Sequence, residues 1–402
     1  MLKDIALVHE GGRHRIKDAE KAAVYQEIYL RRRATRKQIA AALNSRPTTV
    51  SRAVQELMED GLVETLSQPA PARPRGRPEI HLQPRLARYT ALVIQGISRR
   101  LKGVLVDLGY NILAEAEIRL DENAGNDELL AGLVELVAGL AGRKPAGSSL
   151  LGAGLCLPGT VSGREQRWIS AARWPMLDRL SLSALARRAG TRLSIQRALD
   201  AELEYLLVTT PAYRQGNTLL FHWGYGIGSA YAHQGRVLRS TLGRFGEIGH
   251  VRLKGTGDKP CFCGSRGCLE TEAALWALLP ELRRRQPDTP EDEDLFAARL
   301  AGQRLLQDLA AVRRAAIHIR TALDLVYQVF YPDRILLFGP FFQSDELFTL
   351  LAEGFQEGLP AYARGSVSLE RVAAGPGGAV VGSSHRFFRD ALKKDLIARW
   401  ET

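Results

Sequence analysis

The 402-residue sequence predicts an α/β protein preceded by a mainly helical unit of about ninety residues. From about residue 90, apolar segments of strand length alternate with helical segments and glycine-rich turns, which is typical of α/β folds. Before residue 90, apolar residues recur at helical spacing instead. The N-terminal part is also the more basic one, because residues 1–90 hold 17 Lys or Arg against 10 Asp or Glu.

The composition is that of an ordinary globular protein, with 45% hydrophobic and 25% charged residues. A chain of this length is expected to form two or three compact units. It contains no apolar run of membrane-spanning length and no secretory leader, so we expect a cytoplasmic protein that does not insert into membranes. Four cysteines are too few for a disulfide scaffold, and no sequence repeat stands out.

Three short helices are predicted in the N-terminal unit. The first covers about residues 19–32. Thr35 is expected to cap the second, while Pro47 begins the third and Gly61 ends it. The apolar residues on which the three helices would pack are Ala22, Tyr25, Ile28 and Tyr29, then Ile39, Ala42 and Leu43, then Val50, Val54 and Leu57.

The second and third helices are joined by a tight turn and have the layout of a helix-turn-helix, in which the later helix enters the major groove. The excess positive charge of this unit favours a polyanionic partner, because phosphate neutralisation supplies most nonspecific affinity for DNA. The alternative is a solvated basic face. The predicted DNA-contacting residues of the third helix are Thr48, Thr49, Ser51 and Arg52.

A wing is predicted after the third helix. One strand begins at residues 62–64 and a second at residues 80–82, with a Pro-rich loop between them. The tip of this loop, Arg75, Gly76 and Arg77, is extended and cationic, so it would suit a narrow minor groove. The alternative is a flexible linker. Helices and wing together predict a winged helix-turn-helix.

One histidine and three cysteines predict a metal site. His250 precedes Cys261, Cys263 and Cys268 in the string EIGHVRLKGTGDKPCFCGSRGCLE. Three thiolates and one imidazole complete the tetrahedral ligand set of a structural zinc ion, and the glycines of the string let the sulfurs converge. We therefore predict Zn²⁺ bound by these four residues. The alternative is reduced thiols without metal.

The same string resembles the signature of the ROK family (repressors, open reading frames and kinases), EIGH followed by CxCGxxGCLE. The helix-turn-helix and the RGRP wing resemble those of its glucose- and N-acetylglucosamine-responsive repressor branch. The resemblance covers nearly the whole chain and implies a two-lobed actin-like (ribonuclease H-like) sugar kinase fold, with a sugar cleft between the lobes. The expected units are an extension at 1–18, the winged helix-turn-helix at 19–84, a small lobe at 85–200, and a large lobe at 201–402 that carries the zinc loop and whose last helix returns to the small lobe.

The resemblance also implies sugar-binding residues. In the family's kinases the sugar is bound by the Glu and His of EIGH and by the Glu after the last zinc cysteine. These positions match Glu247, His250 and Glu270. For the two glutamates the alternative is a structural carboxylate. The family's sugar-contacting Asn is not found, because Arg173 and Trp174 occupy that region, which indicates an unusual ligand or none.

The catalytic residues of the family's kinases are missing. Their Asn-Asp pair aligns with Arg197 and Ala198, and alanine cannot act as a base. A shifted alignment would use Asp200, which points to a different helix face. The first phosphate loop aligns with residues 95–99, which lack its carboxylate, and Pro and Phe at 340–341 are expected to crowd the nucleotide side. We therefore predict no catalytic residues and no phosphoryl transfer.

The leading interpretation is a DNA-binding transcription repressor whose degenerate kinase-like domain senses a sugar, a sugar phosphate or a partner protein. The alternative is an active ROK sugar kinase with an accessory N-terminal domain. Because one helix-turn-helix reads only a half-site, the predicted partners are double-stranded operator DNA and further copies of the chain, as a homodimer or a dimer of dimers. The sequence indicates no role for His222, His233 or His385.

Overall fold

The N-terminal unit combines three helices with a small antiparallel sheet. A computed structural model of the chain describes residues 16–66, 80–240, 243–302, 310–373 and 377–396. The unit consists of α1 (Ile16–Arg31), β1 (Ala34–Thr35), α2 (Arg36–Ala42), α3 (Pro47–Glu59), β2 (Val63–Thr65) and β3 (His81–Pro84). Strand β3 lies between β1 and β2 and is antiparallel to both.

Local sequence explains where these helices begin and end. The Thr35 hydroxyl accepts a hydrogen bond from the Gln38 backbone N–H, and the Gln38 side chain accepts one from the Thr35 N–H, which together form a capping box for α2. Pro47 is the first residue of α3, and Gly61 follows the helix with a left-handed φ of 69°. These features confirm the predicted helices. Ala42, in contrast, is exposed and does not join the core as expected.

The first half of the remaining chain contains a five-stranded mixed sheet. Its elements are β4 (Tyr89–Ile97), β5 (Arg100–Asp107), β6 (Ile112–Arg119), α4 (Asn126–Ala141), β7 (Ser149–Leu157), β8 (Thr160–Ser162), β9 (Arg167–Ser170), β10 (Leu180–Ser181), α5 (Ser183–Ala189) and β11 (Leu193–Arg197). Strands β5 and β6 continue antiparallel from one side of β4, while β7 and β11 add in parallel on its other side. Strands β8 to β10 form a separate small sheet.

The second half repeats this arrangement. Its elements are α6 (Ala198–Thr209), β12 (Asn217–Trp223), β13 (Ile227–His233), β14 (Arg236–Val237), α7 (Glu270–Ala273), α8 (Leu275–Arg285), α9 (Glu293–Gly302), α10 (Ala310–Phe330), β15 (Arg334–Phe338), α11 (Asp345–Gly358), β16 (Ser368–Val372) and α12 (Gly378–Leu396). Strands β13 and β14 are antiparallel neighbours on one side of β12, and β15 and β16 are parallel neighbours on the other. None of the helices described is both long and apolar enough to cross a membrane.

The two large sheets therefore share one topology: a central strand, an antiparallel hairpin on one side and two parallel strands on the other. The duplication lies in strand order and is not visible as a sequence repeat. It agrees with the two-lobed actin-like fold that the sequence analysis predicts. Because parallel strands end at a common edge of their sheet, each half offers one edge where functional side chains can gather.

The N-terminal unit packs directly on the first half. One hydrophobic cluster runs from Ile28 of α1 through Val93 of β4 to Phe388 of α12, and all three side chains are buried. The Tyr29 hydroxyl donates a 2.8 Å hydrogen bond to the Leu108 carbonyl oxygen. Helix α12 also contacts β7 and α6, so it connects both halves with the N-terminal unit. The N-terminal unit and the first half consequently share one hydrophobic cluster, and α12 links it to α6 of the second half.

Candidate functional site

A cavity of about 980 Å³ lies between the two halves. Gln95 near the end of β4 and Arg197 at the end of β11 line it from the first half. His222 near the end of β12 and Phe338 at the end of β15 line it from the second half. The cavity thus lies at the carboxyl ends of parallel strands, where α/β folds usually bind ligands, and its volume suits a small molecule.

The four predicted metal ligands converge beside the cavity. His250 ends a short 3-10 turn, and the three cysteines lie on the loop before α7. Their ligand atoms all lie within 4.8 Å of one another. Cys261 Sγ is 3.6 Å from His250 Nδ1, and Cys263 Sγ is 3.6 Å from Cys268 Sγ. Ligands placed about 2.3 Å from a tetrahedral zinc ion lie about 3.7 Å apart, so the residues present fit that ion.

His250 connects this cluster with the cavity. Its Nδ1 faces Cys261, while its Nε2 lies 3.6 Å from Oε2 of Glu247. The sequence assigns His250 to both metal and ligand, and the geometry gives each role a different ring nitrogen. A metal-ligating histidine commonly donates its other N–H to a carboxylate, which fixes the ring orientation. Such a pair would position Glu247, which lines the cavity.

Arg197 ties Glu247 to the beginning of α6. Its Nη1 donates to Glu247 Oε1 at 3.1 Å, and its Nη2 donates to Asp200 Oδ1 at 2.7 Å and to the Ser229 carbonyl oxygen at 3.0 Å. Arg197 and Asp200 are both buried. The position that aligns with the family's Asn therefore holds a cation already bound by protein carboxylates.

Ala198 lines the cavity at the position that aligns with the family's base. It is the first residue of α6, directly after Arg197. Asp200, the alternative base, binds Arg197 and is not part of the cavity wall. At the end of β4, the buried Gln95 stands where the family's first phosphate loop has a carboxylate. At the two positions that the sequence analysis aligns with the family's base and phosphate-loop carboxylate, the cavity wall thus has Ala198 and Gln95.

Glu270, the first residue of α7, is buried and lines the cavity. Its Oε1 accepts a hydrogen bond from the Ile227 N–H at 2.8 Å, and its Oε2 accepts one from Trp276 Nε1 at 3.4 Å. Burial raises the pKa of Glu270, although His250 opposes the shift. The close fit needs glycine in the turn before β13, because a Cβ on Gly226 would lie 2.9 Å from Glu270 Oε1. Glu270 is thereby held in one orientation.

Arg173 and Trp174 have different environments. The Arg173 guanidinium carbon lies 3.6 Å from the centroid of the Tyr225 ring, and its Nη2 donates to the Glu291 carbonyl oxygen at 3.3 Å. Burial lowers the pKa of Arg173, against the effect of nearby carboxylates. Trp174 is fully buried and makes an edge contact with Trp168 at 5.4 Å between ring centroids. Both residues line the cavity, Arg173 with a polar group held by its neighbours and Trp174 with a buried ring that also packs in the core of the first half.

Several ionisable cavity residues had no predicted role, among them His222, Glu293 and Glu202. His222 Nε2 lies 3.1 Å from Glu293 Oε2, and the Tyr225 N–H donates to Glu293 Oε1 at 2.5 Å. Burial acts to raise the pKa of Glu293, but His222, Arg173 and the Tyr225 N–H together lower it to about 2. Burial raises the pKa of Glu202 to about 7. These residues come from separate segments without a recognisable motif, so no sequence signal marks them.

The two halves are also joined beside the cavity. The Ser98 hydroxyl donates to Asp292 Oδ2 at 2.7 Å, and Arg100 Nη2 lies 3.3 Å from the same oxygen. Arg99 Nε lies 3.6 Å from Glu291 Oε1. Ser98 and Arg99 form the turn from β4 to β5, which aligns with the family's first phosphate loop. Here that turn binds protein carboxylates of the opposite half.

The expected crowding of the nucleotide side is wrong. Phe341 stacks on Trp223 with ring centroids 4.2 Å apart, inside the core of the second half. Neither Pro340 nor Phe341 contributes to the cavity wall, whereas Phe338 does. Gly339 has a φ of 115°, and this conformation directs the following residues into the core.

The polar face of α3 is open to solvent. Thr48, Ser51 and Arg52 are exposed and Thr49 is half-buried, as the predicted DNA-contacting face requires. Arg52 Nη2 lies 3.0 Å from Glu20 Oε2. Surface ion pairs of this kind contribute at most about 1 kcal/mol, so Arg52 can exchange its partner for DNA. The predicted wing-tip residues lie outside the described part of the chain, namely Arg75, Gly76 and Arg77.

Comparison with known proteins finds relatives that are named as repressors and also a relative that is named as a glucokinase. The ROK family model matches residues 98–386. The xylose repressor of Bacillus spizizenii is 23% identical over 332 residues, which cover 82% of this chain and 84% of that repressor. The DNA-binding transcriptional repressor Mlc of Escherichia coli is 24% identical over 401 residues, which cover 95% of this chain and 94% of Mlc.

A solved structure shows the same fold. It belongs to a ROK family transcriptional regulator, a homolog of the E. coli Mlc protein, and superposes with a TM-score of 0.66 at 22% identity. The superposition covers 95% of this chain and 98% of that one. The comparison therefore extends from the N-terminal unit through both large sheets.

Proposed function

Because this chain belongs to the ROK family, we propose that it is a DNA-binding transcription repressor whose kinase-like halves sense a ligand. The observation that carries the proposal is the continuity between α3 and the cavity. Buried residues of α3 belong to the same hydrophobic cluster as α12, and Ala379 of α12 lines the cavity. Full-length similarity to proteins named as repressors supports this reading.

We assign the N-terminal unit as a winged helix-turn-helix with α3 as its recognition helix. Its surface contacts the major groove, and the wing tip enters the minor groove. One such unit reads one half-site, so the protein acts as a homodimer or a dimer of dimers on an imperfect palindrome. The residues assigned to DNA are Thr48, Thr49, Ser51, Arg52, Arg75, Gly76 and Arg77.

The proposed repressor does not phosphorylate sugars. Ala198 provides no base, and Gln95 provides no carboxylate for a phosphate-bound cation, so both requirements of phosphoryl transfer are unmet. The second candidate, a sugar kinase with an accessory domain, would use Glu247 and Glu270 in the cavity to bind its sugar, but a sugar-sensing repressor would use them in the same way. Measuring ATP turnover with hexoses and amino sugars separates the two. Turnover at about 1 s⁻¹ or faster would establish the kinase.

We further propose that His250, Cys261, Cys263 and Cys268 bind one structural Zn²⁺ ion. The ion would supply a closed tetrahedral centre that holds the loop before α7 in place. Its protein ligands lie between Glu247 and Glu270 in the sequence, so they fix both ends of the segment that carries these carboxylates.

Glu247, His250 and Glu270 are proposed to bind hydroxyl groups of a sugar or sugar phosphate. Binding of a hydroxyl group needs hydrogen-bond partners but no catalytic base. It is therefore compatible with an alanine at position 198. A ligand that contacts both halves changes their separation and hence the distance between paired winged units. By linkage, DNA then weakens ligand binding by the same factor. Absence of a response to any small molecule would favour a protein effector.

The test of the DNA assignment uses full-length protein and fragments selected from a random-sequence DNA pool. Arg52→Ala is expected to weaken binding about tenfold or more, because a base contact contributes about 1–3 kcal/mol. Arg119→Ala is the matched control, since Arg119 is an exposed arginine on β6. Equal binding by the Arg52→Ala variant and the parent protein, or selection of fragments without a palindrome, would contradict the assignment.

A further inference from the structure

Two carboxylates in the cavity wall, Glu202 and Asp294, form no salt bridge in the part of the chain that the structure describes. Glu202 lies on α6, one turn after Ala198, and lines the cavity although only 7% of its surface is exposed. Its Oε1 is buried without a hydrogen-bond partner in the part of the chain that the structure describes. Asp294 on α9 also lines the cavity, and burial raises its pKa together with repulsion from Asp292 and Glu293.

The fold makes room for Glu202. A Cβ on Gly378, the first residue of α12, would lie 2.0 Å from Glu202 Oε2, so a larger residue there would displace the carboxylate from its present position. Burying an unpaired carboxylate costs stability, as the raised pKa of Glu202 shows. Departures of this kind from ordinary packing are concentrated at functional sites. Glu202 is therefore a candidate for binding rather than for stability.

Three basic groups of the cavity wall have partners other than Glu202. His222 holds Glu293 at 3.1 Å, Arg173 lies on the Tyr225 ring, and Arg197 binds Asp200. None of the three forms a salt bridge with Glu202, although His222 acts to lower the pKa of Glu202 against the larger effect of burial. The region consequently keeps an excess of negative charge, which repels a polyphosphate and attracts a cation. The carboxylates that produce this charge are Glu202, Asp292, Glu293 and Asp294.

We propose that this part of the cavity binds the protonated amine of a small ligand, with Glu202 as the direct acceptor of its N–H groups. An ammonium group offers three donors and no acceptor, which matches a carboxylate with free lone pairs. An amino sugar would bind Glu202 through its ammonium group and Glu247 and Glu270 through its hydroxyl groups. A polyamine is the other class of ligand that carries an ammonium group. The inference rests on the proposed function, because it names the class of ligand that the cleft senses.

Isothermal titration calorimetry of the full-length protein tests this with matched compounds. Glucosamine, galactosamine and mannosamine are compared with glucose, galactose and mannose, and putrescine with 1,4-butanediol. At least one amine is expected to bind roughly tenfold tighter than its neutral counterpart. Glu202→Gln keeps the side-chain shape and should abolish this preference. Glu353→Gln, on the exposed face of α11, should leave it unchanged.

Asp294→Asn is a second variant, less demanding for the fold, and should weaken amine binding severalfold. Tightest binding of putrescine would assign the polyamine as the source. The inference is overturned if no amine binds more tightly than its neutral counterpart, or if the Glu202→Gln variant keeps the full preference.

Measuring DNA binding with and without the amine distinguishes a failure of this inference from a failure of the proposed function. Amine binding without an effect on DNA leaves this inference standing and removes ligand control of repression.

Discussion

Arg197 and Ala198 are adjacent in sequence but have opposite effects on the cleft. Ala198 puts no base at the position that the sequence analysis aligns with the family's catalytic Asp, while Arg197 adds a buried cation that binds Asp200 and Glu247. A buried ion pair contributes little net stability, yet removing one partner leaves the other charge buried and unpaired. Substitution of Arg197 is therefore expected to cost more stability than substitution of Ala198.

Arg197→Met is expected to lower the free energy of unfolding by about 3 kcal/mol, because Asp200 then stays buried without a partner. The double variant Arg197→Met/Asp200→Asn removes that charge and should recover part of the loss. Urea denaturation of both variants and the parent protein measures the difference. Equal losses in the single and double variants would show that the unpaired carboxylate is not the cause.

Glu202→Gln is expected to stabilise the protein above pH 7 and to change its stability little near pH 5. Burial raises the pKa of Glu202 from 4.5 to about 7, so the folded state retains a proton that the unfolded state releases in this window. Stability therefore falls as pH rises from about 4.5 to about 7, by roughly 1–3 kcal/mol. Melting temperatures at pH 5 and pH 8 test the sign, with Glu353→Gln as control. An equal gain at both pH values would contradict the assignment.

At the scale of elements, the loop between the 3-10 turn at His250 and α7 has little regular structure. Its one β-bridge, in the described residues 251–269, joins Pro260 and Arg266. Glu247 precedes the loop and Glu270 follows it, so both carboxylates depend on how the loop is held. The proposed metal ion would replace the missing backbone pairing as the constraint on this loop.

Cys268→Ala is expected to lose the metal and to lower the Tm by several degrees, because Cys268 is fully buried among the proposed ligands. Cys156→Ala is the control, since Cys156 is buried in β7 away from the cluster. Elemental analysis should find about one zinc per chain in the parent and in the control, by the four-ligand rule. Stoichiometric zinc in Cys268→Ala protein would refute the ligand set.

The elements also explain which parts of the site could be predicted. Helix caps, helical spacing and the Cys/His cluster are local in sequence, so they were predicted with their residues. Strand β1 was missed because two residues become a strand only by pairing with β3. Glu202, His222 and Glu293 meet only when α6, β12 and α9 pack together, which no local pattern encodes. Phe341 was misplaced because its direction depends on the backbone conformation of Gly339.

At the scale of the molecule, the buried clusters are divided unequally. One cluster joins the N-terminal unit to the first half and to α12, whereas another lies entirely within the second half. Local unfolding of the N-terminal unit should therefore be coupled to unfolding of α12 and independent of the hydrophobic cluster in the second half. Differences of this kind are measurable by hydrogen exchange.

Leu392→Ala and Leu351→Ala provide the comparison, because both leucines are buried, one on α12 in the shared cluster and one on α11 in the second half. Each is expected to cost about 2–5 kcal/mol through the cavity that it leaves. Only Leu392→Ala should accelerate hydrogen exchange in α1. Acceleration of α1 by both variants to the same extent would mean that the clusters open together.

Helix α12 has 19 residues and so extends about 28 Å. Ala379 in its first turn lines the cavity, while near its other end the Asp395 carbonyl oxygen accepts a hydrogen bond from Lys21 of α1 at 3.0 Å. The N-terminal unit, which is proposed to bind DNA, therefore cannot be exchanged independently of α12. A chimera that exchanged residues 16–88 alone would join a foreign surface to a helix end shaped for α1. To direct this chain to a different DNA sequence, residues 377–396 should be exchanged together with the N-terminal unit.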